Sequence, residues 1–379
     1  MNRIVIEKDK LLKNIQIVKS LTEAHEENSK KPIIIAVLKA NAYGMGASLV
    51  GRLLLENGIS FFAVAEVREA IELRNEGFTN DILILNATSI REEIAQIIQN
   101  DFIATVGSMT ALSILNEEAE KKGKIAKCHL KIDTGFGRFG FRYEDILENE
   151  PFLVSFKEAL ESKKNIEVIG TYSHFQESYA ADEKSTREQF ERFQKCTQKL
   201  QGEGIPLGLL HICNSVAFFK YQEMHLDAVR IGSAFTGRIP YSGKTGLQRV
   251  GYLESSVCEI KEIKKGERIG YSKTYKLRRN TRVAIVGAGY ASGVEVTRWD
   301  DKDRLIDKLR IVKTDVLRVL HHDMRYVQIG EKSCQILGRV GMNNLMIDVT
   351  DSDVKIGDKV KISANLVYIG NQIPREYKE

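Results

Sequence analysis

Basic and polar side chains recur where apolar runs end along this chain, and the first of them is Lys39 in VLKANAYGMG. The apolar run Ile33–Leu38 gives way to an amine, then to a loop of small residues carrying Tyr43 and Gly44. An ordinary lysine is idle at its pKa of about 10.4. Desolvation and nearby cations favour the neutral amine, which condenses with an aldehyde. A lysine snorkelling from a strand end is the plain alternative.

The other run ends carry Lys131 with Arg138, then His174, then Asn214 with Ser215, then Arg230 with Gly232. If Lys39 holds an aldehyde cofactor, pyridoxal phosphate is the obvious one, and its phosphate dianion needs several donors. Tyr43, Ser215 and the backbone N–H groups around Gly232 and Ser233 can supply them. Ser215 also suits a helix N-cap. His174, after VIGTYS, can lie flat against a pyridine ring or serve as a core histidine with its ring nitrogens satisfied. Arg230 keeps its proton in a protein. Facing the pyridine nitrogen, it would leave that nitrogen unprotonated and the ring a weak electron sink, which suits removal and return of a proton at one carbon. The alternative is a structural ion pair, for instance with Asp227. Arg138 in KIDTGFGRFGF can bind a carboxylate bidentately. Lys131 beside it would need a neutralising modification or a carboxylate partner, unless both are solvated at a loop.

These residues need a scaffold that gathers strand ends. Leu11, Leu12, Ile15, Val18 and Leu21 recur at helical spacing. Apolar runs then alternate with polar helical segments: Ile33–Leu38, Phe61–Ala65, Ile82–Leu85, Phe102–Val106, Ala126–Ile132, Ile166–Tyr172, Leu209–Ile212 and Ala228–Ile231. About eight strands of this kind predict an α/β fold of the (β/α)8 TIM-like barrel type, with reactive groups at the strands' C-terminal ends. An open doubly wound sheet is the alternative, but its phosphate loop after the first strand is missing. Beyond about Pro240, short β-rich runs separated by turns predict a mostly antiparallel β-strand domain. The expected division is 1–240 and 241–379.

The chain has 379 residues, an apolar fraction of 43% and a net charge of +5. Lysines and glutamates are interspersed, and no arginine stripe with interleaved aromatics points to nucleic acid. No apolar run approaches the ~20 residues of a membrane span, and the N-terminus lacks a signal-peptide core. The five cysteines are scattered without a CxxC pair, which predicts free thiols, no metal site and a cytoplasmic location.

Taken together, KANAYGMG, KIDTGFGRFGF, TYSHFQESYAADE with Gln189 and Phe193, HICNSVAF, AVRIGSAFTG, IGYSKTY, GAGYASG and GRVGMNNLMIDV resemble, in order, the motifs of the alanine racemase family of fold-type III pyridoxal-phosphate enzymes. The resemblance implies that Lys39 holds the cofactor, and that Tyr43, His174, Asn214, Ser215, Arg230, Gly232 and Ser233 contact it. It implies a carbamylated Lys131 that orients Arg138, and a catalytic Tyr271 in IGYSKTY. Tyr290, Met342, Asn343 and Asn371 fall in the segments that approach the substrate. It further implies a head-to-tail homodimer in which Lys39 of one barrel and Tyr271 of the partner's β domain share a site. Two bases would then act on opposite faces of the substrate's Cα, interconverting L- and D-alanine for peptidoglycan precursors.

The chain departs from the family pattern at Met45 (usually histidine), Ser292 and Asn343 (usually aspartate), the segment GVEV (which lacks a common arginine) and Asn371 (usually tyrosine). A shorter amide at 371 opens space and adds a donor and an acceptor, which serine's hydroxyl can use and alanine's methyl cannot. The same asparagine is similar to that of serine racemases of vancomycin-resistance clusters, so activity on both alanine and serine is expected. A dedicated serine or broad-specificity racemase is the alternative. A decarboxylase of this fold type would place a carboxylate at the pyridine nitrogen, and a cofactor-binding regulator would lack the β domain.

Overall fold

The computed structural model describes residues 1–23, 31–296, 305, 308–313, 316 and 325–379. It divides into two compact units, Asp9–Val250 and Met1–Lys8 with Gly251–Glu379.

In the larger unit the expected apolar runs form parallel strands: β1 (Ile33–Val37), β2 (Phe61–Val64), β3 (Ile82–Ile84), β4 (Ala104–Val106), β5 (Ala126–Asp133), β6 (Ile166–Tyr172), β7 (Leu209–His211) and β8 (Ala228–Ile231). Their order is β3-β2-β1-β8-β7-β6-β5-β4. A parallel bridge from Leu83 to Ile103 joins the two ends, with Ile84 N–H donating to the Ile103 carbonyl at 2.9 Å, so the sheet curls into a TIM-like barrel. Alternate residues point inward: Ile35, Val37, Ala63, Leu83, Ile103 and Ala228 pack as one cluster. The outer helices bury one stripe each, as Ile94, Ile97 and Ile98 do on Arg91–Gln99.

The smaller unit is rich in antiparallel strands. Gly251–Ile263 pairs antiparallel with Arg3–Glu7, Thr281–Val286 and Lys359–Ile362. One parallel ladder runs between Arg3–Glu7 and Arg375–Lys378.

The observed division differs from the expected 1–240 and 241–379 at both ends. Ile4, Val5 and Ile6 pair with Leu253, Tyr252 and Gly251, so the first strand belongs to the β unit. Residues 241–250 stay with the barrel because buried Asn14, on helix Lys8–Glu23, donates to the carbonyls of Phe235 and Gln248 and accepts from Gln248 N–H. A short apolar strand carries no mark of which sheet it will join. Among the described residues, no helix is long and apolar enough to cross a membrane.

Candidate active site

The C-terminal ends of the barrel strands enclose a cavity of about 320 Å³. Lys39, Tyr43, Lys131, Arg138, His174 and Arg230 all line it, as do Asn214, Ser215, Gly232 and Ser233. The ten expected barrel residues are thus brought together. Among the described residues the lining has four basic side chains, Lys39, Lys131, Arg138 and Arg230, and no carboxylate. Such a cavity favours an anionic ligand.

Lys39 leaves β1 half-buried, and burial first, then Arg138 and Arg230, lowers its pKa against an opposing pull from Glu69. The next four residues, Ala40 to Tyr43, all have left-handed backbone (φ 51, 53, 51 and 56°), and Gly44 follows at φ 85°. A left-handed turn without glycine costs roughly 1–2 kcal/mol per residue, so its surroundings must hold it. Ala42 N–H donates to the Leu38 carbonyl at 2.7 Å and Gly44 N–H to the Ala40 carbonyl at 2.8 Å. Asn41 Oδ1 accepts from Ala47 N–H at 2.7 Å, at the start of the next helix. The turn aims the Tyr43 ring at β8: a Cβ on Gly232 would lie 2.4 Å from the Tyr43 hydroxyl. Only glycine permits that approach. Burial pushes the Tyr43 phenol up to about 12, so it remains a donor near neutral pH.

Arg230 is 4% exposed, and its donors go to neutral acceptors. These are His211 Nδ1 at 2.6 Å, the Ser173 and Ile212 carbonyls at 2.7 and 3.0 Å, and His174 Nδ1 at 3.1 Å. No described carboxylate pairs with it: Asp227, the partner weighed from sequence, instead accepts the Leu210 N–H at 2.9 Å. Burial brings the guanidinium down to about 10, still protonated near neutral pH. Its charge is therefore left for whatever fills the cavity.

Because Arg230 donates to His211 Nδ1, His211 Nε2 carries the proton it shares with His129 Nδ1 at 2.9 Å. Both histidines are fully buried, and burial followed by the charge on Arg230 lowers both pKa values, that of His129 to about 3. The sequence does not single out this pair beneath the arginine. Its only signal was two histidines inside strand runs, at inward positions of β5 and β7. Arg230 also donates to His174 Nδ1, so His174 is held neutral, well below the imidazole range, by burial and then by Arg230, Lys131, Lys39 and Arg138.

Lys131, 5% exposed, lies with Nζ 4.2 Å from the centre of the Tyr172 ring. Burial, Arg230 and Arg138 hold its pKa well below that of an ordinary lysine, so it is not a solvated loop cation. The loop after it is shaped by Asp133, whose carboxylate accepts N–H groups from Gly135, Phe136 and Gly137. Arg138, exposed at the rim, stacks on Phe136 at 4.4 Å. Gln189 ties this loop to the His174 loop, donating to Thr134 Oγ1 and the His174 carbonyl and accepting from Gln176 N–H.

The N-cap expected of Ser215 falls one residue earlier. Asn214 Oδ1 accepts from Val216 and Ala217 N–H at 3.0 Å, because an N-cap side chain must reach back over the first turn. Ser215 is instead the first helical residue, and its hydroxyl oxygen accepts from Gly232 N–H at 3.0 Å and Ala234 N–H at 3.3 Å. Its own proton thereby points away from those donors.

Tyr271, Tyr290, Met342, Asn343 and Asn371 lie in the β unit. Tyr271 is 68% exposed on a short turn, and its ring approaches Gly341, where a Cβ would lie 3.5 Å away. Tyr290 N–H donates to the Gly341 carbonyl and Ala291 N–H to that of Met342, both at 3.0 Å. Tyr271, Tyr290 and Met342 therefore form one exposed cluster, with Asn343 beside it. Exposed Asn371 sits on a loop whose carbonyls at Ile369, Gly370 and Ile373 accept from the Arg375 guanidinium.

Residues 6–240 match the family model of the alanine racemase N-terminal domain, and residues 250–372 that of its C-terminal domain. The chain is 33% identical over 364 residues to alanine racemase 2 of Caldanaerobacter subterraneus subsp. tengcongensis, covering 95% of this chain and 84% of the relative. It is similar in structure to the alanine racemase of Clostridium difficile 630, with a TM-score of 0.84, 28% identity, and coverage of 100% of this chain and 96% of the other. It is similar also to the alanine racemase of Bacillus anthracis with bound L-Ala-P, with a TM-score of 0.79, 26% identity, and coverage of 100% and 95%.

Proposed function

The chain belongs to the alanine racemase family and is an isomerase of racemase type, and we propose that it interconverts L- and D-alanine, and L- and D-serine, with pyridoxal phosphate as cofactor. The observation that carries this reading is a lysine of lowered pKa at the mouth of a cationic cavity without a carboxylate.

That donor set fits the cofactor. Lys39 would hold its aldehyde carbon. Tyr43, Ser215, Gly232 and Ser233 would take the phosphate, with Asn214 fixing the helix start beside them. His174 would cover the ring, and Arg230 would face the pyridine nitrogen. When bound, the cofactor supplies an electron sink that acidifies the substrate Cα–H.

The chain's own residues do the rest. Protonated Arg230, held by neutral acceptors, would donate to the pyridine nitrogen in place of a proton, an arrangement that would limit the electron sink and favour proton exchange at one carbon over decarboxylation. Lys39 takes or returns the proton on one face of Cα, and the partner subunit's Tyr271 acts on the other face. The second base thus makes a homodimer obligatory. Arg138 would grip the substrate carboxylate. Lys131, driven towards its neutral form, is the amine that carbon dioxide would carbamylate, with loss of one proton, giving Arg138 an anionic partner.

Asn371 is the residue we assign to serine recognition, and Met342, Asn343 and Tyr290 are assigned to the substrate side of the same β unit. D-amino-acid supply for peptidoglycan precursors in the cytoplasm is the physiological role this activity suits. The test is direct. With pyridoxal phosphate the protein should show a near-visible absorbance band, and L-Ala and L-Ser should each yield the D-enantiomer by chiral chromatography without release of carbon dioxide. Absence of both D-products would refute the reading. Asn371→Tyr should reduce kcat/KM for serine relative to alanine, and an unchanged ratio would remove the serine assignment.

A further inference from the structure

The left-handed turn after Lys39 begins at Ala40, and its first N–H is met by a side chain from a different part of the barrel. Glu69 stands in the first turn of helix Val67–Asn75. One of its oxygens accepts from Ala40 N–H at 2.5 Å. The other accepts from Ala65 N–H at 2.8 Å and Glu66 N–H at 3.2 Å. Glu66 and Glu69 form a reciprocal capping box at this helix start, and a box of that kind needs only the bond to Glu66. The bonds to Ala40 and Ala65 go beyond it. They join Ala40, in the turn that follows β1, to Ala65, the residue after β2, across neighbouring strands.

We propose that Glu69 is a positioning residue for Lys39: its carboxylate clamps the backbone immediately after the lysine and so sets where the amine stands at the cavity mouth. Four successive non-glycine residues in left-handed backbone need such an anchor, since the intrinsic preference of each is to leave that conformation. The same carboxylate is the one described anion opposing the depression of the Lys39 pKa by burial, Arg138 and Arg230. Lys131 and His174, from other strand ends, and the Tyr43 phenol, from the same turn, line the same cavity as the amine. Glu69 thus couples placement and basicity through one group. The proposal rests on the reading of Lys39 as the reacting amine for its catalytic meaning, though the coupling is measurable without it.

The experiment uses the cofactor-free full-length protein. The pH profile of Lys39 acetylation is read by mass spectrometry, with exposed Lys122 as internal reference, in the parent protein, Glu69→Gln, Glu69→Ala and Glu66→Ala. Glu66→Ala removes the other half of the capping box without touching Ala40. Glu69→Gln keeps an acceptor and removes the charge, which guards against misfolding in Glu69→Ala. Both Glu69 variants should titrate Lys39 at lower pH than the parent, and Glu66→Ala should coincide with it. In the loaded enzyme, Glu69→Ala should lose about tenfold to a hundredfold in kcat, as a displaced reacting group does, with Glu66→Ala well above it. A parent-like Lys39 profile in both Glu69 variants overturns the assignment, and so does an equal kcat loss in Glu66→Ala and Glu69→Ala. If the parent protein itself racemises neither substrate, the proposed function falls, while the acetylation profiles still decide the role of Glu69.

Discussion

At the scale of single residues, the site is built by removing alternatives to charge compensation. Arg230 meets only neutral acceptors, so its charge is directed into the cavity. Arg230→Ala should destabilise the fold by about 3 kcal/mol, because buried acceptors lose their donor. A urea midpoint equal to that of the parent protein would contradict this. Gly232→Ala forces a Cβ to within 2.4 Å of the Tyr43 hydroxyl. The crowding should cost about 1–3 kcal/mol and weaken retention of pyridoxal phosphate. Dialysis followed by absorbance measures that retention. Lys39 and His174 were legible as candidates because each stands just after an apolar run, Arg138 because it follows one in a glycine-rich loop, and Arg230 because it is a charge set near the end of one. The His129–His211 pair was not, because a histidine inside a run reads as an ordinary core residue until its neighbour across the barrel is known.

At the scale of elements, the strands and helices followed from periodicity, but the turn after β1 did not. Nothing in the composition of Lys39–Tyr43 calls for left-handed backbone; of its residues only Asn41 visits it readily. The turn exists because Glu69, Asn41 and the end of β1 fix its two ends. Ala40→Gly should therefore be neutral or stabilising by about 0.5 kcal/mol, relief of strain outweighing the added freedom of the unfolded chain. Asn41→Ala should cost about 1–2 kcal/mol through loss of the acceptor for Ala47 N–H. Thermal unfolding of the two variants should move in opposite directions or leave the glycine variant unchanged; a glycine variant less stable than Asn41→Ala would show that the strain is not there.

At the scale of the whole molecule, protonation and assembly make the testable claims. His129 and His211 are buried and held below the ordinary imidazole range. Below about pH 6.5 the unfolded chain binds protons that the folded chain refuses, so stability falls as pH drops and levels off above that value. Each histidine contributes a slope of up to about 1.4 kcal/mol per pH unit between its two pKa values. Urea midpoints that stay level from about pH 7 to about pH 5 would be incompatible with that burial. For assembly, inactive Lys39→Ala and Tyr271→Phe chains, mixed and allowed to exchange subunits, should recover about a quarter of parent activity, since half the dimers are mixed and each has one intact site. No recovery would place both bases within one chain.

The barrel, the β-rich unit and the set of side chains at the strand ends are readable along the chain, because period and position along a run are local properties. So are the motifs through which the chain is similar to its family. Folding in three dimensions settled the rest: Arg3–Glu7 belongs with the β unit, Asn214 rather than Ser215 caps its helix, Asp227 does not pair with Arg230, and Glu69 reaches the backbone beside Lys39. Each of these is a contact between segments distant in sequence or a choice among nearby polar groups. The distant contacts are settled by which partners the barrel and the β sheet bring within hydrogen-bond range, and the near ones by where each side chain points once its strand or helix is in place.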